Sequence, residues 1–400
     1  MSIKAFTRPF TQQEPINQEA IDAATKVLKS GRLHRYNTIE NELSEAALLE
    51  EEYATYQQSK YCLACASGGY AMSVALKAAG LKLGESVLTN TFTLAPVPGA
   101  ISNAGGNPIF VEITKDLVLD LEDLSKKAEE SGARFLLISH MRGHLVDMDQ
   151  LMEIVNENNL ILIEDCAHTM GAQWKDQRSG NFGLAGCFST QTYKHLNSGE
   201  GGLLTSNDEE FMARAIIYSG SYMLYERHGA APSSKVFEDI RLETPNYSGR
   251  MDNLRASILR PQLKNLDKNI SRWNERYTIV EAALKDIKGI EVPLRLEEEK
   301  YVGSSIQFRI AGITQTEAEL FIKKNKELGV ELKWFGNDDP SGFTSNHKSW
   351  KYLNQQNLEK SDEILSGLFD LRLPLTFGLN DCRIITDIII DCYKQLQIID

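Results

Sequence analysis

The sequence predicts an α/β fold in which a large domain with a mostly parallel sheet flanked by helices is followed by a smaller C-terminal α/β domain. Two observations carry this prediction. Short β-type runs alternate with helical stretches through the first half of the chain, which is typical of right-handed βαβ crossovers. In addition, 400 residues exceed what one hydrophobic core usually serves.

The chain first shows a helical pattern over residues 14–30, with Gly31 as its stop, and then a basic, aromatic segment at 32–37. β-type runs and helical patterns alternate from residue 61 onward. The predicted strands of the first half are Tyr61–Ala66, Ser86–Thr89, Pro108–Val111, Phe135–Ser139, Leu160–Asp165 and Gly201–Thr205, and the helices between them are 70–79, 94–103 and 121–131.

Residues 252–287 are again helical in pattern, and Pro261 predicts a kink there. We place the domain boundary at this point, which gives a large cofactor-binding domain with an N-terminal arm over 1–262 and a small C-terminal domain over 263–400. The small domain is predicted to contain strands at 305–310, 330–334 and 371–373 and helices near 316–328, 358–369 and 381–396.

The apolar run Leu160–Ile163 has the length and β-branching of a strand buried on both faces, and Asp165 stands at its carboxyl end. Open α/β sheets bind ligands at the carboxyl ends of their strands. A carboxylate there can pair with a protonated pyridine nitrogen, and a Lys further along can form an imine. Asp165 and Lys194 are the candidates for these roles. Taken singly, Asp165 fits a helix N-cap equally well, and Lys194 fits a solvated Lys.

Ser67, Gly68 and Gly69 form a small-residue turn between a predicted strand and a predicted helix. Such a turn presents free backbone N–H groups and the positive end of the helix dipole, which suits a phosphate. A plain strand–helix turn is the alternative interpretation of this segment.

The composition restricts the partners. Net charge is −12, and no run of Lys and Arg could bind phosphate backbones, so nucleic acid is not expected. The N-terminus lacks an apolar export segment and no apolar run reaches membrane-spanning length, so we expect a cytoplasmic protein without a membrane partner.

Cysteine and histidine do not predict a metal site. Six Cys in 400 residues do not form a disulfide framework, and the Cys62-x-x-Cys65 pair lies in a predicted strand without a second Cys or His pair. His140 and His144 lack a third ligand at suitable spacing. We therefore expect no metal.

The segments Glu164–Ala172, Gly186–Ser189 with Lys194 five residues later, and Gly199–Gly202 together resemble the motifs of the DegT/StrS sugar aminotransferases. That family consists of fold-type-I pyridoxal-phosphate enzymes. The resemblance implies that pyridoxal 5'-phosphate is the cofactor. It further implies that Asp165 pairs with the pyridinium nitrogen and that His168 contacts the ring. By the same resemblance, Ser189 binds the phosphate and Lys194 forms the Schiff base.

Further roles follow from the same resemblance. The turn Gly68–Gly69 and Tyr70 stand where the family binds phosphate, although Gly69 replaces a Thr. Leu94 takes the position of an aromatic residue that covers the ring, with Phe92 two residues earlier. Ser248 and Arg250 match an element that reaches the neighbouring subunit, with Ser248 in place of Asn. Arg35 and Tyr36 could contact substrate, and a solvated loop is the alternative.

The implied activity is transfer of an amino group from an amino acid, glutamate or glutamine, to a keto or aldehyde sugar, nucleotide-linked or not, in a homodimer with shared active sites. Two alternatives remain. A sugar dehydratase of the same family carries His in place of the Schiff-base Lys, whereas this chain has Lys194 with His195 beside it. A non-catalytic regulator on the same scaffold is the other alternative.

Overall fold

The computed structural model describes residues 4–40 and 42–396. The helices, in chain order, are α1 Gln18–Ser30, α2 Glu45–Gln57, α3 Gly68–Ala78, α4 Pro96–Ala104, α5 Leu121–Ser131, α6 Met148–Glu157, α7 Glu209–Tyr218, α8 Ser234–Ile240, α9 Asn253–Leu263, α10 Leu266–Lys285, α11 Gln315–Glu327, α12 Glu359–Ser366 and α13 Leu379–Leu396. Three 3₁₀ turns lie at Met141–Gly143, Tyr225–Arg227 and His347–Ser349.

The strands form three sheets. They are β1 Tyr61–Cys65, β2 Ser86–Asn90, β3 Asn107–Val111, β4 Phe135–Ser139, β5 Ile161–Asp165, β6 Gln173–Trp174, β7 Gln177–Arg178, β8 Ala185–Ser189, β9 Gly202–Ser206, β10 Ile290–Glu291, β11 Glu299–Lys300, β12 Ser305–Ile310, β13 Leu332–Trp334 and β14 Leu368–Arg372.

The largest sheet has seven strands in the order β1-β9-β8-β5-β4-β2-β3. Its pairs are parallel except those of β9, which runs antiparallel to both β1 and β8. Helices cover both faces, so strands such as β4 and β8 are buried along their whole length. The predicted α/β class with a mostly parallel sheet is confirmed. Because β1, β4, β5 and β8 share one direction, their carboxyl ends meet at one edge of the sheet.

A second sheet, β10-β12-β14-β13, is antiparallel and has its own apolar core with α10, α11 and α13. The N-terminal segment reaches this core, where Phe6 and Phe10 each make an edge-to-face contact with Phe377 at ring-centroid distances of 5.1 and 4.9 Å. The third sheet consists of β11, β6 and β7. The division of the chain at residue 262 stays a prediction, since N-terminal residues also pack on the second sheet.

Several predicted boundaries shift by a few residues, and two predicted helices differ in kind. The single kinked helix over 252–287 is two helices, α9 and α10, and Pro261 lies inside α9. The break comes at Lys264–Asn265, after the proline. Residues 358–369, predicted as helix, divide into α12 and the start of β14.

The segment at residues 32–37 is held by a buried polar cluster around Glu50 of α2. Glu50 is fully buried, and its two carboxylate oxygens each accept a hydrogen bond from Arg35 at 2.9 Å. The same carboxylate accepts the N–H groups of Ala64 at 2.9 Å and Gly229 at 3.2 Å, and it lies 3.2 Å from His228 Nδ1. One carboxylate therefore joins three segments that are far apart in the chain.

Candidate active site

A cavity of about 550 Å³ opens at the carboxyl edge of the large sheet, where the second sheet faces it. This volume suits a small organic ligand. Its walls come from the turn after β1, from the ends of β4, β5 and β8, and from β13 and β14. The predicted site residues among its lining are Gly68, Gly69, Leu94, Asp165, His168, Ser189 and Lys194.

The first wall is the N-terminus of α3. Ser67 caps this helix, because its Oγ accepts the N–H of Tyr70 at 3.1 Å. The first N–H groups of a helix have no partner within it, so Gly68 and Gly69 offer donors to an anion. Gly68 also lies tightly against β8, where an added Cβ would come within 2.9 Å of Ser189 Cβ. The turn and the Ser189 hydroxyl thus form one compact anion seat.

The second feature is the carboxylate at the end of β5. Asp165 is 6% exposed and lines the cavity. Ser139 Oγ donates to its Oδ2 at 2.8 Å, and the Ala167 N–H donates to its Oδ1 at 3.1 Å. Both oxygens are therefore held in place, and the group presents a fixed negative charge to the cavity.

The third feature is a pair formed by Lys194 and His168, whose Nζ and Nε2 atoms are 2.7 Å apart. The Arg142 backbone N–H donates to His168 Nδ1 at 3.3 Å, so the ring proton belongs on Nε2 and Lys194 Nζ accepts it. Burial first, and then the positive charge of Arg142, lower the pKa of Lys194 to about 7. A substantial fraction of Lys194 is therefore neutral and nucleophilic near neutral pH.

Leu94 lines the cavity, and its role in covering the cofactor ring stays a prediction. Phe92 does not take over the missing aromatic face, because it is 1% exposed and packs edge-to-face on Phe335 with centroids 5.1 Å apart. Tyr70 lies outside the lining. Its hydroxyl donates to the Tyr218 carbonyl at 2.9 Å.

The four other predicted residues also lie outside the cavity lining of this chain. Arg35 is buried against Glu50, and the Tyr36 hydroxyl pairs with His228 Nε2 at 2.7 Å. Ser248 is exposed and accepts a hydrogen bond from Arg250 Nη2 at 2.9 Å. Roles for these four residues remain predictions.

Sequence reasoning missed a group of cations in the cavity wall, namely Arg142, Lys333 and Arg372. Arg142 stands two residues beyond His140 at the end of β4, and the other two lie on β13 and β14. For Arg142 and Arg372, the signal that could have revealed them is a basic residue at or just after the end of an apolar strand. Lys333, in the middle of β13, gives no such signal. Phe343, from the loop after β13, also lines the cavity and contacts the Tyr193 ring edge-on at 5.8 Å.

In the described part of the chain, one group of side chains has ligand atoms close enough to hold a metal ion: His140, Glu164 and Cys166, all within 4.8 Å. Glu164 accepts three backbone N–H groups of the turn 180–183 and lies 3.0 Å from His140 Nε2. These hydrogen bonds give Glu164 a structural role, because it anchors the turn 180–183 and lies against His140 without a metal ion.

The lining fits pyridoxal phosphate. An anion seat at α3 and Ser189, the carboxylate of Asp165 and a primary amine with a lowered pKa, that of Lys194, all line one cavity. A phosphate, a pyridinium nitrogen and an aldehyde would each find a partner of the matching chemistry.

Comparison with known proteins gives the same assignment. The model of the DegT/DnrJ/EryC1/StrS aminotransferase family matches residues 14–388. The dTDP-3-amino-3,4,6-trideoxy-alpha-D-glucose transaminase of Micromonospora megalomicea subsp. nigra is 30% identical over 288 residues, which cover 71% of this chain and 72% of that protein. The GDP-perosamine synthase of Escherichia coli O157:H7 is 30% identical over 227 residues, 56% of this chain and 59% of the relative.

Among solved structures, an aminotransferase from Psychrobacter cryohalolentis superposes with a TM-score of 0.83 at 21% identity, covering 97% of this chain and all of that chain. At that identity the match shows the shared fold, and it extends across both large sheets.

Proposed function

The chain belongs to the DegT/DnrJ/EryC1/StrS aminotransferase family, and on that basis we propose that it transfers an amino group from glutamate to a keto or aldehyde sugar with pyridoxal phosphate as cofactor. Two relatives, a dTDP-amino-sugar transaminase and a perosamine synthase, support the sugar class of the acceptor. The observation that carries the proposal is the presence of Asp165 and Lys194 in one cavity opposite an anion seat.

Pyridoxal phosphate, when bound, supplies an electron sink for the bond cleaved at the donor carbon. The N–H groups of Gly68 and Gly69, with the Ser189 hydroxyl, would hold its phosphate. Asp165 would pair with the ring nitrogen and favour its protonated form, because a carboxylate in a cavity with little water stabilises a positive charge.

Lys194 has two tasks. Its Nζ, when deprotonated, would hold the cofactor covalently, and once freed by the donor the same atom would move the proton at the donor carbon as general acid and base. His168 positions Lys194, since its Nε2–H donates to the amine at 2.7 Å. Aminotransfer rather than dehydration follows from a Lys at this position.

Glutamate alone is expected to convert the holoenzyme to its amino form and to release one equivalent of 2-oxoglutarate per site. Nitrogen-15 from glutamate should then appear on a carbonyl sugar, because a transaminase passes the amine on. Mass spectrometry of the sugar products measures this. Glutamine, which has an amide in place of the side-chain carboxylate of glutamate, serves as the comparison donor in the same experiment.

Other outcomes separate the alternatives. Label found only as free ammonia would replace the aminotransferase by a sugar dehydratase. An absorbance spectrum unchanged by every amino donor would indicate a regulator. Conversion by glutamine but not by glutamate would show that the proposed donor is wrong, and the aminotransferase function would stand.

The rate of covalent cofactor attachment to the apoprotein is expected to rise with pH through about 7 and then level off. Lys194 must lose its proton to react, and its pKa is lowered to about 7 by burial and by Arg142. Stopped-flow absorbance at pH 5.5–9 measures the midpoint. Arg142→Gln removes a positive neighbour, so its midpoint should move to higher pH; a flat profile, or a shift to lower pH, would contradict the assignment.

We propose that two copies assemble and share their active sites. Ser248 is exposed, and Arg250 bonds to Gly220 O at 2.7 Å, so neither side chain serves its own cavity. Tyr222 and Tyr247 beside them are 57% and 70% exposed. Exposed aromatic residues next to an arginine are typical of a protein interface.

Mixing inactive Lys194→Ala chains with Arg250→Ala chains should restore activity, because a mixed dimer contains one site with both residues intact. Native mass spectrometry verifies that subunits have exchanged. Exchanged dimers without any recovered activity would show that each site is formed by one chain.

We also propose a cytoplasmic location and small-molecule partners. All six cysteines are free and buried, which supports a reducing compartment. Net charge of −12 gives no support for nucleic acid. Within the described residues, no helix combines the length and the hydropathy needed to cross a bilayer.

A further inference from the structure

A small polar chamber lies beside Lys194, separate from the large cavity that would hold the cofactor. Its volume is about 30 Å³, and the walls that it does not share with the large cavity include Gln13, His195, Trp273 and Ser304. A water molecule needs roughly 10–15 Å³ of such space, so the chamber has room for one or two. We refer to this space as the rear chamber.

Lys194 stands between the large cavity and the rear chamber. The residues that line both spaces, and so form the partition between them, are Arg142, His168, Tyr193, Lys194 and Arg372. The cofactor and the amino donor would fill the large cavity and exclude water from it. The rear chamber is therefore the place where water can still reach the Lys194 amine during the reaction.

Three residues of the rear chamber carry a buried polar atom that has no hydrogen-bond partner among the described residues. These atoms are Gln13 Nε2, Arg142 Nε and His195 Nδ1. Buried polar groups are costly unless they are hydrogen-bonded, and an ordered water is their usual partner where the protein offers none. Their position around one small space indicates a common partner in that space.

The hydrogen-bonding capacity of these atoms matches that of one water molecule. Gln13 Nε2 and Arg142 Nε are donors, and a water oxygen has two lone pairs to accept from them. His195 Nε2 lies 3.0 Å from Ser304 Oγ, which leaves Nδ1 for the water. A second hydrogen of the water remains for the Lys194 amine, which lines the same chamber.

His195 can position a water without taking its proton. The ring is 6% exposed and packs edge-on against Trp273 with centroids 5.1 Å apart, so its orientation is fixed. Burial first, and then the charge of Lys194, lower the pKa of His195 to about 3. The ring is therefore neutral at neutral pH and does not retain a proton that Lys194 releases.

Gln13 separates the rear chamber from bulk water. Its side chain is half-buried although its Nε2 atom is buried, and it belongs to the N-terminal segment that packs on the second sheet. Phe10 of this segment packs on Phe377, and the Gln12 carbonyl accepts a hydrogen bond from Thr376 Oγ1 at 3.3 Å. These contacts hold Gln13 at the edge of the chamber, one side chain away from solvent.

We propose that a water molecule in the rear chamber, held by Gln13, Arg142 and His195, exchanges protons with Lys194 while the large cavity is occupied. This inference rests on the proposed aminotransferase function, in which Lys194 takes a proton from the donor carbon and later delivers one. One N–H bond of the Lys194 ammonium breaks as an O–H bond forms at the water, and the reverse step returns a different hydrogen, so atoms and charge balance. The proton that Lys194 delivers then comes from solvent.

Deuterium on the α-carbon of glutamate measures this exchange in the first half-reaction. The wild-type holoenzyme should lose most of the label to water, so mass spectrometry should find little of it in the amino form of the cofactor. His195→Phe and Gln13→Leu each remove one hydrogen bond to the water and should raise the retained label about threefold to tenfold, as expected for one such bond. Gln13→Leu, on the half-buried N-terminal segment, keeps the test valid if His195→Phe fails to fold.

Two variants serve as matched controls. His195→Asn keeps a polar group near the position of Nδ1, and Gln12→Leu makes the same change as Gln13→Leu at an exposed residue outside both linings. Both should retain as little label as the wild type. Wild-type retention as high as that of His195→Phe would overturn the proposal. Equal loss of label in every variant would do the same, because water would then reach Lys194 through the large cavity.

A high-resolution crystal structure of the holoenzyme gives a readout that needs no turnover. It should show a water bonded to Gln13 Nε2 and His195 Nδ1, and a chamber without such a water would contradict the proposal whatever the reaction is. Failure of glutamate to convert the holoenzyme, with the water in place, would instead overturn the aminotransferase function.

Discussion

Lys194→Ala is expected to lower turnover by about 10⁴-fold, the upper range for loss of a positioned proton-transfer group. The variant loses the atom that attaches the cofactor and that moves the proton. The phosphate seat at Gly68 and Ser189 is unchanged, so pyridoxal phosphate should still bind, without a covalent link. Single-turnover absorbance with glutamate measures the loss.

Borohydride reduction and peptide mapping of the unmodified protein should place the cofactor on Lys194. Methylamine added to Lys194→Ala should restore part of the rate, because a small amine can fill the space of the missing side chain. A label on another lysine, or a variant that turns over normally, would show that the role of Lys194 is wrong.

Asp165→Asn is expected to lower turnover by about 10²- to 10³-fold, as for the removal of one preorganised electrostatic group. The amide keeps the shape and can still accept from Ser139 Oγ, but it carries no charge to hold the ring nitrogen protonated. Cofactor content, measured by absorbance after denaturation, should change far less than the rate.

Ser139→Ala is the matched control for Asp165→Asn. It removes the 2.8 Å hydrogen bond to Asp165 Oδ2 and leaves the charge. A loss of about threefold to tenfold is expected for one such bond. If Asp165→Asn cost no more than Ser139→Ala, the charge of Asp165 would have no catalytic role.

The parts of the site that follow directly from a strand end could be predicted from the sequence. Asp165 ends β5, and ligands bind at the carboxyl ends of parallel strands, so local pattern was sufficient for this residue. Ser189, at the end of β8, was placed by the family resemblance. The group of cations in the cavity wall could not be predicted in this way. Arg142 meets Lys333 and Arg372 only through the docking of the second sheet on the first, which no local pattern encodes.

Helix α2 shows a different limit of prediction from the sequence. Its seven buried residues lie on one face at helical spacing, but they include Glu50 and Gln57, so polar side chains interrupt the apolar stripe by which a helix is recognised in a sequence. Tyr70 shows a third limit. Its place after the Ser67–Gly69 turn suggested a ligand contact, but the turn of α3 directs its hydroxyl to Tyr218 O.

The carboxylate of Glu50 makes part of the fold sensitive to acid. Burial alone would raise the pKa of Glu50, but Arg35 and His228 lower it from 4.5 to about 2. A carboxyl with a lowered folded-state pKa stabilises the protein fully above its unfolded pKa, and that contribution disappears as pH falls from about 4.5 toward 2. Because this one group joins residues 32–37, β1 and Gly229, protonation would loosen all three together, as one cooperative unit rather than as three separate loops.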